Sequence, residues 1–169
     1  MTQRVIGITG WKNSGKTTLT EKLVAHFTAL GLKIATVKHA HHEFDIDHAG
    51  TDSFRHRKAG AREVAIVSSR RWAVMHELEG EKEPPLQTVL AKLSACDLVI
   101  VEGYKREGHA KIEVRRGQNA SSQPLSPSDS SIIAIAADYV IENEAVPVLP
   151  LNDAAAIAQF IAHYAGLDL

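Results

Sequence analysis

The chain has 169 residues, of which 44% are hydrophobic and 23% are charged, a composition typical of one globular domain covering residues 1–169. Its net charge of −1 offers no overall electrostatic basis for binding nucleic acid or a membrane surface. The longest apolar run is too short to span a bilayer, and the first predicted strand begins so early that we expect no signal peptide. A single cysteine, Cys96, excludes an internal disulfide and favours a cytoplasmic location.

The first predicted elements in chain order are a strand, a glycine-rich loop and a helix. Residues 4–9 are mostly apolar and β-branched, which predicts a buried strand. Residues 10–17 spell G-x-x-x-x-G-K-T, the phosphate-binding P-loop or Walker A sequence. Apolar residues then recur at helical spacing from Thr17 to about Leu30, and Gly31 ends the predicted helix. This order of elements is the context in which the motif binds a nucleotide.

The residue types of the P-loop suit a triphosphate. Glycines at positions 10 and 15 let backbone N–H groups approach phosphate oxygens, and the helix that follows adds its unpaired N–H groups. Lys16 would bind the β- and γ-phosphates, and the Thr17 hydroxyl would bind Mg²⁺. The residues predicted to bind the nucleotide in this segment are Gly10, Asn13, Ser14, Gly15, Lys16, Thr17 and Thr18.

The remaining elements predict an α/β fold. The further predicted strands cover residues 33–38, 64–68, 72–76, 97–103, 111–115, 132–136 and 140–141. The further predicted helices cover residues 52–59, 86–93 and 154–164. The nearly continuous apolar run at 97–103 indicates a central parallel strand, 111–115 a short edge strand, and 118–131 a flexible loop. The sequence therefore predicts a P-loop NTPase with a mostly parallel central sheet flanked by helices, and an antiparallel hairpin formed by 64–68 and 72–76.

A P-loop enzyme needs a second acid to help hold Mg²⁺, and the sequence offers two candidates for it. Glu102 ends the predicted central strand and is followed by a glycine. Asp47 and Asp52 lie in a polar segment, and residues 47–50 match the D-x-x-G pattern of GTPases. We assign Mg²⁺-linked roles to Thr17, Glu102, Asp47 and Asp52, and solvated loop carboxylates are the alternative for the three acids.

Two polar clusters follow the second predicted strand. The imidazoles of His39, His41, His42 and His48, with the nearby carboxylates of Glu43, Asp45 and Asp47, could belong to a polar loop, surround nucleotide phosphates, or bind a transition metal. A basic cluster could bind an anionic ligand or an acidic partner, or form a solvated helix face. It comprises Arg55, Arg57, Lys58, Arg62, Arg70 and Arg71. The sequence leaves both clusters open.

Four motifs in order along nearly the whole chain resemble the MobB family of molybdopterin-guanine dinucleotide synthesis. They are G-x-x-x-x-G-K-T-T-L, T-V-K-H-A-H-H-x-F-D-I-D-x-x-G-x-D-S, D-L-V-I-V-E-G-Y-K and V-P-V-L-P-L-N-D. The resemblance implies a homodimeric GTP-binding protein with Mg²⁺ and weak GTP hydrolysis. It also implies a MobA-type molybdopterin guanylyltransferase as partner, with direct molybdopterin binding left open. On this resemblance, an anionic pterin becomes a further possible ligand of the histidine segment and of the basic cluster.

Guanine preference rests on the resemblance alone, because the guanine-reading N-K-x-D motif is absent from the sequence. Asn152 is the late candidate for a contact with the base, whereas Asp153 is equally explained as a helix cap. Two other functions remain at this stage. One is a P-loop small-molecule kinase or ATP-dependent ligase, and the other is a metal chaperone that uses the histidine segment.

Overall fold

The structure of the protein is a computed structural model that describes residues 3–40, 44–119 and 122–168. The chain divides into two compact units. The sheet unit comprises Met1–His39 and Leu86–Leu169, and the hairpin unit comprises Ala40–Pro85. That the 169 residues form one domain stays a prediction. Within the described ranges, no helix has both the length and the apolar character that crossing a membrane requires.

Among the described residues, eight strands form a six-stranded sheet and a two-stranded hairpin. In chain order they are β1 (Val5–Thr9), β2 (Ile34–Lys38), β3 (Glu63–Val67), β4 (Trp72–His76), β5 (Leu98–Glu102), β6 (Lys111–Arg115), β7 (Ile132–Ala137) and β8 (Val148–Pro150). Six of them form the sheet of the sheet unit in the order β2-β5-β1-β6-β7-β8, and every neighbouring pair is parallel. All six strands therefore end at the same edge, where open α/β sheets bind ligands. The predicted fold class is confirmed.

Helices cover both faces of this sheet. The described residues contain the α-helices α1 (Lys16–Ala29), α2 (Asp52–Lys58), α3 (Leu86–Leu90) and α4 (Ala154–Ala165), and a 3₁₀ helix at Gly117–Asn119; α2 belongs to the hairpin unit. Helices α1 and α4 bury Phe27 and Ile161 in one core, and α3 buries Leu90 in the other. The side chains of β5 alternate between these two cores, which explains why its sequence is apolar without interruption.

Strand β6 corrects the prediction that residues 111–115 form an edge strand. It lies between β1 and β7, and all five of its residues are buried. The alternation of charged and apolar residues suggested one solvated face. Instead, Lys111 pairs with Asp129 at 3.0 Å and Arg115 pairs with Glu113 at 2.8 Å, so these charges are neutralised inside the protein.

The predicted strand at residues 140–141 is wrong. Val140 is 87% exposed and lies in an irregular segment, and the last strand is β8, which pairs with β7. Two β-branched residues favour a strand locally, but a strand requires a pairing partner, which this segment lacks within the described chain. The last predicted helix is confirmed, since the Asp153 carboxylate accepts the Ala156 N–H at 2.9 Å and caps α4.

The hairpin unit contains the predicted antiparallel pair. Strands β3 and β4 pair from Glu63↔His76 to Val67↔Trp72. The connecting turn closes through the Ser68 N–H, which donates to the Arg71 carbonyl at 2.9 Å. Helix α2 precedes the hairpin and begins after Thr51, whose hydroxyl accepts the Phe54 N–H at 3.4 Å.

Candidate functional site

The predicted P-loop joins β1 to α1, and its backbone explains both glycines. Gly10 has a φ of 144° and Gly15 a φ of 96°, in the region that side chains disfavour. A Cβ at position 10 would lie 2.6 Å from the Val114 carbonyl oxygen, so a larger residue would displace β6 from the loop. Asn13, which tolerates this region better than most residues, also has a positive φ of 61°. Ser14 is buried, while Thr17 and Thr18 are exposed in the first turn of α1.

Lysines surround the P-loop. The Lys16 ammonium donates to the Trp11 carbonyl across the loop at 2.7 Å. Burial and the charge of Lys105 lower the pKa of Lys16, and the charge of Lys38 adds to this, whereas Glu102 opposes it. Three ammonium groups and one carboxylate therefore interact at this edge of the sheet. The surplus of positive charge suits a polyphosphate.

Sequence reasoning gave no individual role to Lys38 or Lys105. The available signal was strand order, because Lys38 ends β2 in register with Glu102 at the end of β5. Lys105 follows β5, and its ammonium lies 4.2 Å from the centroid of the Trp11 ring, within the range of a cation–π interaction.

Glu102 and Thr17 are in direct contact. The Thr17 hydroxyl donates to Glu102 Oε1 at 2.8 Å, and the Lys38 ammonium lies 3.7 Å from the same oxygen. Since β5 is hydrogen-bonded to β1, its carboxyl end lies beside the P-loop. A hydroxyl and a carboxylate held together are the hard oxygen ligands that Mg²⁺ prefers, so these two residues could hold it, directly or through water. The structure thus brings Thr17 and Glu102 into contact, while their Mg²⁺-linked role stays a prediction.

The structure shows why position 103 requires a glycine, which the sequence did not reveal. Its φ is 95°, and a Cβ there would lie 3.0 Å from the Cβ of His39. The His39 ring packs against the Tyr104 ring with their centroids 4.6 Å apart and their planes tilted by 41°. The glycine therefore makes room for His39, the first residue of the histidine segment.

A small cavity lies on the other side of the P-loop. Its lining includes Trp11, Ser14, Arg116 and Tyr139. The Trp11 indole N–H donates to the Gln123 carbonyl at 2.7 Å, which ties the loop at 118–131 to the P-loop. Among these residues, only Ser14 was predicted to bind the nucleotide. Arg116 and Tyr139 lacked a sequence signal because strand order, not spacing along the chain, brings them to the P-loop.

The loop that was predicted to be flexible is also fixed to β6. The backbone N–H groups of Leu125 and Ser126 donate to the Glu113 carboxylate at 2.9 and 3.0 Å. Arg115 donates to both Glu113 and the Ser126 hydroxyl. Buried charges of β6 therefore hold part of this loop beside the P-loop.

Asp47 organises the segment that precedes α2. Its carboxylate accepts hydrogen bonds from the Thr51 hydroxyl at 2.5 Å and the Ser53 hydroxyl at 2.9 Å. The bond from Thr51, joined by smaller contributions from Ser53 and Arg57, lowers the pKa of Asp47. Asp52 is exposed as the first residue of α2. The Mg²⁺-linked roles of Asp47 and Asp52 stay predictions.

The histidine and basic clusters contain no dedicated site that the described residues reveal. Within the described ranges, no group of three or more His, Cys, Asp or Glu side chains could hold a metal ion. His41 and His42 lie outside those ranges, and the His48 backbone N–H donates to Asp47.

Part of the basic cluster is engaged in ion pairs of the hairpin unit. Arg57 pairs with Asp45 at 2.9 Å and with Glu77 at 2.8 Å, and Arg62 pairs with Glu81. These carboxylates offset the charge of Arg57 and Arg62, two of the six basic residues of the cluster.

Asn152 is exposed in the turn between β8 and α4. Strand β8 lies three positions from β1 in the sheet, about 14 Å at the usual strand spacing. A nucleotide extended from the P-loop along this edge could bring its base toward this turn. The contact between Asn152 and the base stays a prediction.

A parallel sheet, a P-loop between its first strand and helix, and an acid at the end of the adjacent strand define a P-loop nucleotide-binding protein. Residues 5–138 match the family described as "Molybdopterin guanine dinucleotide synthesis protein B", MobB. The chain belongs to the MobB family.

Relatives from two bacteria and solved structures agree with this membership. The "Molybdopterin-guanine dinucleotide biosynthesis adapter protein" of Escherichia coli K12 is 36% identical over 162 residues, covering 95% of this chain and 92% of the relative. The Haemophilus influenzae protein of the same name is 36% identical over 163 residues, covering 95% and 88%. The crystal structure of a MobB homologue from Bacillus stearothermophilus is 28% identical, with a TM-score of 0.72 and coverage of 97% and 99%.

Proposed function

We propose that this chain is a cytoplasmic, GTP-binding accessory protein of molybdenum-cofactor maturation. It would assist a MobA-type guanylyltransferase in attaching GMP to molybdopterin and forming molybdopterin-guanine dinucleotide. Its MobB membership and the adapter names of its relatives support this role. The observation that carries the nucleotide part of the proposal is the contact of Thr17 with Glu102 beside an intact P-loop.

GTP with Mg²⁺ is the proposed ligand. Lys16, Lys38 and Lys105 supply positive charge for the phosphates, and the backbone N–H groups at the start of α1 add donors. Thr17 and Glu102 would hold Mg²⁺, which would neutralise phosphate charge when bound. Asn152 is the proposed contact for guanine.

We expect hydrolysis by the isolated protein to be slow. In fast GTPases a glutamine near the D-x-x-G segment orients the attacking water, but here Thr51 follows Gly50. The Thr51 side chain is already engaged, since its hydroxyl donates to Asp47. The arrangement favours a protein whose bound nucleotide serves assembly with a partner rather than rapid turnover.

We also propose a homodimer, supported by the exposed face of the hairpin. Val67 is 75% exposed, Trp72 68% and Val74 50%, and the strand register places all three on the same face. Val64 and Met75 lie on the opposite face, and both are buried. An exposed apolar face of this kind is typical of a surface that a second protein chain covers.

The proposal is tested by titrating the protein with GTP and Mg²⁺ and by assaying dinucleotide formation by a guanylyltransferase of this class with and without it. We expect GTP to bind more tightly than ATP, and dinucleotide formation to increase when the protein is added. Tighter binding of ATP, or transfer of its phosphate to a small molecule, would favour the kinase or ligase function instead. A lack of any effect on the guanylyltransferase would contradict the accessory role.

A further inference from the structure

Arg116 lies beside the P-loop because of strand order. Strand β6 ends at Arg115 and pairs with β1, so the residue that follows β6 reaches the edge where β1 enters the P-loop. A Cβ built on Gly15 would lie 2.9 Å from Arg116 Nε and 3.0 Å from its Nη2. The guanidinium therefore packs directly against the residue that begins α1, where the backbone N–H groups are unpaired.

The two consecutive arginines of this strand end have different environments. Arg115 donates to the carboxylates of Glu113 and Glu144 and to the Ser126 hydroxyl. The Nε atoms of both arginines are buried without a hydrogen-bond partner in the described part of the chain, but the Nη groups of Arg115 are bound to these acceptors, whereas the Arg116 guanidinium lies against Gly15 of the P-loop. A buried charged donor without an acceptor is costly, so this position suits a group that brings anionic oxygens.

The order of the strands indicates which part of a nucleotide would meet Arg116. Glu102, at the end of β5, lies on one side of the P-loop strand, and Arg116, at the end of β6, lies on the other. Asn152, the predicted base contact, follows β8, still farther in the direction of Arg116. A nucleotide with its Mg²⁺-linked phosphates at Glu102 and its base toward β8 would place its α- and β-phosphates near Arg116.

We propose that Arg116 is a nucleotide-binding residue that donates to the α- or β-phosphate, the part that GTP and GDP share. This inference rests on the proposed GTP binding at the P-loop. The planar guanidinium can donate two parallel hydrogen bonds to phosphate oxygens, which a lysine cannot do. It also supplies positive charge on the side of the loop opposite Lys38 and Lys105.

The test measures GTP and GDP affinity by calorimetry for wild type, Arg116→Gln and a matched control, Arg4→Gln. Arg4 precedes β1 at the opposite end of the strand and donates to the carbonyls of Ala165 and Gly166, so its loss removes the same charge away from the loop. We expect Arg116→Gln to weaken both nucleotides by about tenfold or more, as for a lost charge-assisted hydrogen bond. Arg4→Gln should leave both affinities as in wild type.

The outcomes separate this inference from the proposed function. If wild type binds GTP, and Arg116→Gln binds GTP and GDP as tightly as wild type does, the inference fails and GTP binding stands. A loss for GTP alone would also overturn it, because the contact would then involve the γ-phosphate. If wild type binds neither nucleotide, both proposals fail. Melting curves without nucleotide verify that each variant folds. If Arg116→Gln does not fold, Arg116→Met replaces it in the same test, because methionine retains an apolar stem.

Discussion

Replacing Glu102 by glutamine tests whether this residue acts through Mg²⁺. The Glu102 side chain is 12% exposed, accepts the Thr17 hydroxyl at 2.8 Å and lies 3.7 Å from the Lys38 ammonium. Glu102→Gln preserves the size of the side chain and retains an oxygen that can accept the Thr17 hydroxyl. It removes only the negative charge, so electrostatic effects are separated from packing.

The structure predicts a small effect on the fold and a larger one on nucleotide binding. Replacing a charge-assisted hydrogen bond by a neutral one costs roughly 1 kcal/mol of stability. The ion pair with Lys38, which is 64% exposed, contributes ~0.2–1 kcal/mol because solvent screens it. Loss of an acid that holds a metal, directly or through water, typically reduces affinity by about 10–100-fold, or roughly 1.4–2.8 kcal/mol.

The assay is a pair of GTP titrations, one with Mg²⁺ and one with EDTA, on wild type and Glu102→Gln. We expect the variant to bind more weakly only with Mg²⁺. With EDTA its affinity should be unchanged or slightly higher, because one carboxylate no longer repels the phosphates. Glu21→Gln, on the exposed side of α1, is the matched control for loss of one negative charge. Equal binding by variant and wild type in both titrations would refute the reasoning and leave Asp47 or Asp52 as the better candidate.

Three further predictions follow from single residues. Lys16→Ala should abolish GTP binding, and unchanged affinity by calorimetry would contradict the P-loop assignment. The melting temperature without nucleotide should be unchanged or higher, because burial disfavours the charged form of Lys16. In light scattering at micromolar concentration, wild type should have the mass of a dimer and the Val74→Lys variant should have the mass of a monomer. A monomeric wild type would count against the proposed dimer. Burial, with the nearby charge of Lys111, lowers the pKa of His109 from 6.5 to about 4. Below pH 6.5 the unfolded chain therefore binds a proton that the folded chain does not, and stability falls as the pH falls toward 4. Melting curves of wild type should show this loss more strongly than those of His109→Gln, and identical pH profiles would contradict it.

Features that short segments encode were predictable from the sequence. Gly10, Gly15 and Lys16 occur at the spacing of a P-loop between a strand and a helix, and the structure has these elements where they were predicted. The hairpin was predictable because only a short turn separates two strand-like segments, and α4 because Asp153 caps it. Each of these signals acts over a few residues, through backbone conformation or hydrogen bonds to near neighbours.

Which distant residues surround the P-loop depends instead on the order of the strands in the sheet. Lys38, Lys105 and Arg116 lie at or just after the ends of three different strands, and nothing in their spacing shows that β2, β5, β1 and β6 are consecutive in the sheet. For the same reason β6 was misplaced at an edge, because its charges have partners such as Asp129 and Glu144 that lie far along the chain. The order of strands depends on how several helices and strands bury their apolar faces together, and this collective packing leaves no local pattern in the sequence.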